Sequence, residues 1–274
     1  MWISKKDIEQ LSDFVNGNIS YEDVDIRENK EGAINILKND IYSLVRKKEE
    51  QVKGLEKERN ILSDYMADIS HQLKTPITSM MIMADLFEDA EPQKQEEFIH
   101  NIRFSLSKID WLMGALLKMA KLDAGAIDFC KASVKVSELI DTATPSVGIL
   151  LDINNQKISL VNDCSIYCDK RWTTEALTNI IKNAIEHADK GSTIEIDSGD
   201  NPMYTWISVK NTGVRMTKEQ YHKLFRRFEN STNENGFGIG MPLALSIIKG
   251  QGGDIDVDFD GCDTETKFII KMFT

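Results

Sequence analysis

Apolar residues in the first half of the chain recur at Ile41, Val45, Val52, Leu55, Leu62, Met66, Ile69 and Leu73, and again at Met80, Met83 and Phe87 beyond Pro76. Steps that alternate between three and four predict a helix with one narrow apolar seam, packed against other helices. A single heptad register accommodates the run, with Val45, Val52, Arg59, Met66 and Leu73 at a and Ile41, Lys48, Leu55, Leu62 and Ile69 at d. So continuous a seam implies a parallel dimer in which a twist at one end reaches the other. Lys48 and Arg59 interrupt it; either their long side chains snorkel to solvent or they weaken a seam that must change its packing. Ala90-Glu91-Pro92 should stop the helix near Asp89, because a residue before proline disfavours the helical region. A second helix is expected from about Gln93 to Asp123, where Ile99, Ile102, Leu106, Ile109, Met113, Leu116 and Ala120 again alternate by three and four. It should lie antiparallel on the first, so that two hairpins make a dimeric four-helix bundle.

Beyond Gly125 the period changes. Short apolar and alternating runs predict strands near residues 129–135, 157–161, 166–168, 193–198, 205–210, 254–259 and 266–272, and helical spacing predicts helices near 136–151, 171–188 and 242–249. The expected class is therefore α+β and multidomain, with a helical coiled-coil linker and a bundle ahead of a mixed domain. Residues 1–31 are polar, with weak helical spacing at Ile8, Leu11 and Val15 and a turn signal at Asn16-Gly17-Asn18.

Composition narrows the function classes. A length of 274 residues suits two or three units, one of them large enough for a sizeable core. The formal net charge of -11, with no basic stripe to neutralise phosphates, argues against a nucleic-acid partner. Cys130, Cys164, Cys168 and Cys262 make no disulfide framework for a chain of this size. Cys164 and Cys168 are four apart but have no His or Cys partner nearby, so reduced thiols are expected rather than a zinc site. No run approaches the length of a membrane span, and no signal peptide opens the chain.

In the heptad register His71 falls at f, the most solvent-facing position, and Thr75 lies one turn further on the same face. The segment Ser70-His71-Gln72-Leu73-Lys74-Thr75-Pro76 resembles the H-box of bacterial two-component sensor histidine kinases, Ser-His-(Glu/Asp)-(Leu/Ile)-(Arg/Lys)-Thr-Pro. That resemblance implies that His71 takes the γ-phosphate of ATP, with Gln72 and Thr75 as its catalytic neighbours. The chemistry suits an imidazole, whose neutral form keeps one nitrogen free to attack phosphorus. Gln72 is a departure. It stands where the family has an acidic residue that draws a proton from the other ring nitrogen; an amide carbonyl can orient the ring but cannot take up the proton. Slower autophosphorylation, or a proton left to water, is the expected consequence.

The order of elements after Gly125 resembles the two-layer α/β sandwich ATP-binding domain shared by histidine kinases and gyrase-type ATPases. Leu177-Thr178-Asn179-Ile180-Ile181-Lys182-Asn183-Ala184-Ile185-Glu186-His187 looks like its N-box. Asn179 and Asn183 share one helix face, and an amide oxygen is a hard neutral ligand suited to magnesium. The resemblance makes Asn183 the Mg2+ ligand and His187 a contact to ribose or phosphate. Glu186 replaces a basic residue often found there, and Lys182 is expected to supply the missing positive charge. Asn211-Thr212-Gly213-Val214-Arg215 is similar to the G1 box Asp-x-Gly-x-Gly, with Asn211 facing the adenine amino group as a neutral acceptor and Arg215 in place of the second Gly. Leu224-Phe225-Arg226-Arg227-Phe228 resembles the F-box, and Gly236-Phe237-Gly238-Ile239-Gly240 the G2 box, where close backbone N–H groups meet phosphate at a helix start. Residues 229–235 between them are expected to form a mobile lid, with Arg226 and Arg227 either reaching the γ-phosphate or facing solvent. Glu265-Thr266-Lys267-Phe268 resembles the last motif, G3, with Glu replacing its Gly.

The resemblance implies a homodimer that binds ATP and Mg2+, phosphorylates His71, passes the phosphoryl group to a response regulator receiver domain, and dephosphorylates that regulator with Thr75 placing the water. Its expected divisions are a HAMP-like or linker segment over 1–45, the coiled coil and phosphotransfer hairpin over 46–125, and the ATP-binding domain over 126–274. Membrane attachment, on the cytoplasmic side, is expected only through a segment outside this chain. A pseudokinase scaffold is the alternative, favoured by Gln72, Asn211 and Arg215.

Overall fold

The computed structural model describes residues 33–213, 216–228, 238–258 and 264–273, together with Ser12 and Val15. Most of the HAMP-like segment, Arg215, Gly236 and the expected lid lie outside these residues. The chain divides into two compact units, Met1–Ile69 and Ser70–Thr274. Helix α1 (Ala33–Leu86) contributes to both. In the first unit it leaves Val52, Leu55, Leu62 and Met66 exposed, so the seam is uncovered on a single chain. None of the described helices is long and apolar enough to cross a membrane.

In the second unit α1 stops at Leu86, short of Asp89, because turn bonds from Phe87 N to Ala84 O (3.3 Å) and Ala90 N to Phe87 O (3.4 Å) replace helical ones. Glu91 is extended at φ -62 and ψ 149, the region a residue before proline is pressed into. Pro92, with no N–H to satisfy, then opens helix α2 (Pro92–Asp123). Helix α2 carries a second apolar stripe beside the expected seam. Leu112, Ala115 and Met119 are buried, whereas Ile99, Leu106 and Met113 of the expected seam are exposed. The buried stripe joins the core of the mixed domain. The expected seam faces another way.

The mixed domain contains β1 (Ala132–Lys135), helix α3 (Val136–Asn154), β2 (Lys157–Leu160), β3 (Ser165–Cys168), helix α4 (Lys170–His187), β4 (Thr193–Asp200), β5 (Tyr204–Thr212), helix α5 (Lys218–Leu224), helix α6 (Gly240–Gly250), β6 (Gly253–Asp258) and β7 (Glu265–Phe273). Five strands form one sheet in the order β2-β4-β5-β7-β6, with β2 parallel to β4 and the other pairs antiparallel. β1 and β3 form a separate antiparallel pair. The first strand begins at Ala132 rather than near 129, since the backbone N–H of Cys130 is taken by Asp169 Oδ2 at 2.9 Å.

Alternation in the long strands turns Ile194, Ile196, Ile207, Val209, Phe268 and Ile270 into a core shared with buried residues of α3, α4 and α6. Burying each such side chain is worth roughly 1.5–3 kcal/mol relative to exposure. Helix α5, not anticipated from periodicity, is started by a reciprocal capping box: Gln220 N donates to Thr217 Oγ1 at 3.2 Å and Thr217 N to Gln220 Oε1 at 2.8 Å.

Candidate functional site

His71 lies exposed on α1, and Thr75 Oγ1 donates back to the His71 carbonyl at 3.4 Å, one turn along. Leu73 is partly buried against the main core, which fixes the opposite face of this turn. Pro76 sits inside the helix and has no N–H for the carbonyl of Gln72, which is left without its helical donor. The histidine is thus presented outward from a helix held on its other side.

Helix α4 carries the second group of candidates and is tied down at its start. Asp169 caps it, accepting from Trp172 N at 3.1 Å, while Asp169 N donates to Gln251 Oε1 at 2.7 Å. Gln251 Nε2 donates to Thr173 Oγ1 at 3.1 Å, and Lys131 Nζ to the Gln251 carbonyl at 2.5 Å. Buried polar groups satisfied in this way rigidify their surroundings. They join the start of α4 to the end of α6. Cys168, beside this network, has its thiol pushed up by burial, partly offset by a hydrogen bond with Thr173, as suits an unreactive structural thiol.

Three contacts then bring the sequence motifs together. Asn179 Nδ2 donates to Glu175 O at 3.0 Å, and a Cβ on Gly240 would stand 2.9 Å from Asn179 Oδ1, so α6 begins close against α4. A Cβ on Gly213 would collide with the His187 carbonyl, and Gly213 bridges Ala188, so the end of β5 meets the end of α4. Asn211 stands opposite Thr266 in the β5–β7 register, both buried, and Thr266 Oγ1 accepts from Met216 N at 3.3 Å. Asn183, one turn beyond Asn179, is half-buried, and its amide has no hydrogen-bond partner among the described residues.

The cationic candidates are partly committed. Lys182 Nζ is 3.9 Å from Glu186 Oε1 on the same helix, a weak exposed pair. Arg227 Nη2 donates to both oxygens of Asp123, at 2.8 and 2.7 Å, rather than standing free at the site. Arg226 is exposed, and the Phe225 ring packs edge-on to Tyr221 with centroids 5.2 Å apart. Gly238 has φ 65, a left-handed conformation that favours glycine. Its carbonyl accepts from Phe228 N at 3.2 Å, which joins the two ends of the segment 229–237. Asp123, Asp169 and Gln251 escaped the sequence reading because nothing in local spacing marks a partner so far along the chain.

Two family models match. Residues 61–125 match the His Kinase A (phospho-acceptor) domain, and residues 168–273 match the histidine kinase-, DNA gyrase B- and HSP90-like ATPase. The chain belongs to the two-component sensor histidine kinases. Sporulation kinase C of Bacillus subtilis is 29% identical over 203 residues, covering 73% of this chain and 46% of that protein. The signal transduction histidine-protein kinase BaeS of Escherichia coli is 24% identical over 208 residues, covering 73% and 44%. This histidine kinase chain therefore spans less than half the length of these curated relatives. In fold it is similar to Acinetobacter baumannii histidine kinase AdeS, with TM-score 0.60 and 19% identity over 74% of this chain and 97% of that one. It is similar also to histidine kinase ThkA, solved in complex with the response regulator protein TrrA, with TM-score 0.62 and 21% identity over 82% and 66%. The phospho-acceptor match contains His71, and the ATPase match contains Asn179, Asn183, His187, Asn211 and Thr266.

Proposed function

We propose that the chain binds Mg-ATP between α4, Gly213 and Gly240, transfers the γ-phosphate to His71, and passes it to an aspartate of a response regulator. The observation that carries the reading is the convergence of Asn179 on Gly240, His187 on Gly213 and Asn211 on Thr266, with an outward-facing histidine on a separate helix. Asn211 and Thr266 receive the base. The tight approach at Gly240 suits phosphate contacts by the backbone N–H groups around it, and Gly236 and Gly238 extend that role. Lys182, His187 and Arg226 neutralise phosphate charge, and Arg227 joins them once it leaves Asp123.

The donor set fits a magnesium ion bound mainly through nucleotide oxygens and water. Among the described residues no group of three or more His, Cys, Asp or Glu gathers to hold a metal, and Asn183 offers one uncommitted neutral oxygen. The ion supplies charge neutralisation at the transferred group. His71 accepts phosphorus through one ring nitrogen while the Gln72 carbonyl orients the other, whose proton passes to water. In a separate phosphatase reaction, Thr75 positions the water that attacks the aspartyl phosphate of the regulator, which frees the carboxylate and releases inorganic phosphate. The exposed seam positions of α1 and α2 support a homodimer, and the divisions 1–45, 46–125 and 126–274 describe its parts.

A pseudokinase scaffold is the second reading, favoured by Gln72 and by the engagement of Arg227 with Asp123. Labelling with γ-labelled ATP separates the two. On the first reading His71→Gln abolishes label while nucleotide still binds, and Asn183→Ala removes the magnesium dependence of binding without unfolding the domain. Nucleotide binding without label in the unaltered chain selects the scaffold.

A further inference from the structure

The floor of the nucleotide site contains an unspent hydrogen-bond donor. Asn211 lies 2% exposed on the helix-facing side of β5, directly opposite Thr266 of β7. Its Nδ2 has no hydrogen-bond partner among the described residues. Two neighbouring amides are engaged, Asn179 with Glu175 and Gln251 with Thr173, and that of Asn183 is only half-buried. A buried donor left unpaired is unfavourable, so a ligand group that accepts from it gains affinity.

The chemistry of that group follows from the amide. A carboxylate offers only acceptors, so it suits the 6-amino group of adenine and repels a 6-oxo group. An amide offers one acceptor and one donor on a terminal torsion with roughly two-fold freedom. It can turn Oδ1 to a 6-amino group or Nδ2 to a 6-oxo group. Thr266 is equally permissive. Its Oγ1 accepts from Met216 N at 3.3 Å and still has a proton to donate and a lone pair to accept with. Neither Asn211 nor Thr266 carries charge.

Resting on the reading of this cleft as the nucleotide site, we propose that it accepts 6-oxopurine triphosphates, the class of guanosine and inosine nucleotides, alongside ATP, and that Asn211 sets this breadth. The triphosphate is the same in both classes, so the bond broken at the γ-phosphate and the bond formed at His71 are unchanged. Inosine isolates the 6-position, because it lacks the 2-amino group that guanine adds.

The test titrates the full chain with the β,γ-imido analogues of ATP and inosine triphosphate in the presence of magnesium. The unaltered protein should bind them within about tenfold of each other, and Asn211→Asp should widen the ratio by about tenfold or more, through weaker binding of the inosine analogue. Asn211→Ser, whose hydroxyl also donates and accepts, should keep the ratio near that of the unaltered chain, and it serves if the Asp variant fails to fold. Preference for the ATP analogue by about a hundredfold in the unaltered chain, or a ratio unmoved by Asn211→Asp, overturns the proposal. Binding of neither analogue overturns the nucleotide-site reading itself, and binding of the ATP analogue alone overturns only the inference about the base.

Discussion

At the scale of single residues, Gln72 is where this chain departs most consequentially from its family. His71 is exposed, Thr75 is bonded to its carbonyl one turn on, and the neighbour expected to remove a proton is an amide. General-base assistance contributes on the order of a hundredfold to reaction rates, and a partial share of it is recoverable by a single substitution. Gln72→Glu is expected to raise the initial rate of His71 labelling by about tenfold, with nucleotide affinity unchanged because the residue lies on another helix. An unaltered rate would mean that the proton already leaves by another route. The H-box was legible in the sequence because its residues are contiguous on one helix, where chemistry and spacing are read together. The partner of Arg227 was not legible. Asp123 is 104 residues away, and no local pattern marks a charge pair over that distance.

Elements were legible to the extent that periodicity marks them. The strands and long helices lie close to their expected places, but α5 is short and declares itself only by the Thr217 to Gln220 capping box. On α2 the spacing of Leu112, Ala115, Met119 and Leu122 is also helical, yet a reading for one seam cannot say which stripe meets which neighbour. Helix α3 shows how a distant residue can complete an element. Asp163 accepts from Ser137 N at 2.9 Å and from Ser137 Oγ at 2.8 Å near the helix start. The backbone bond first, then the hydroxyl, holds its carboxyl below the ordinary carboxylate range. A depressed value means stability that is fully present above the unfolded carboxylate value and is lost as pH falls through the folded one. Asp163→Ala should therefore lower the melting temperature at neutral pH. Because the group is exposed, the loss should be no more than about 1 kcal/mol, and the difference between variants should shrink below about pH 4. Melts at pH 7 and pH 3 check this; equal differences at both would remove the carboxylate from the account.

For the molecule as a whole, what sequence could not supply is how the second bundle helix sits on the ATP-binding domain. Leu112, Ala115 and Met119 pack into the core, Lys118 pairs with Glu175 at 2.8 Å, and Asp123 holds Arg227 through two contacts. In this arrangement Arg227, a candidate phosphate ligand, is bound to the last residue of α2. Partly exposed pairs are worth about 0.2–1 kcal/mol, and two-point geometry favours the upper end. Asp123→Asn should thus accelerate backbone hydrogen exchange in residues 124–131 by up to roughly fivefold while leaving β5 and β7 protected. Unchanged exchange would assign the docking to apolar packing alone.

The central claim is that this chain moves phosphate from nucleotide to His71. It is tested most directly by incubating the full chain with Mg-ATP and locating the modification by peptide mass spectrometry at neutral to alkaline pH, with chemical stability followed in parallel. The account predicts an acid-labile, base-stable phosphate on His71 that disappears in His71→Gln. Modification at another residue, or none while ATP remains bound, would contradict it.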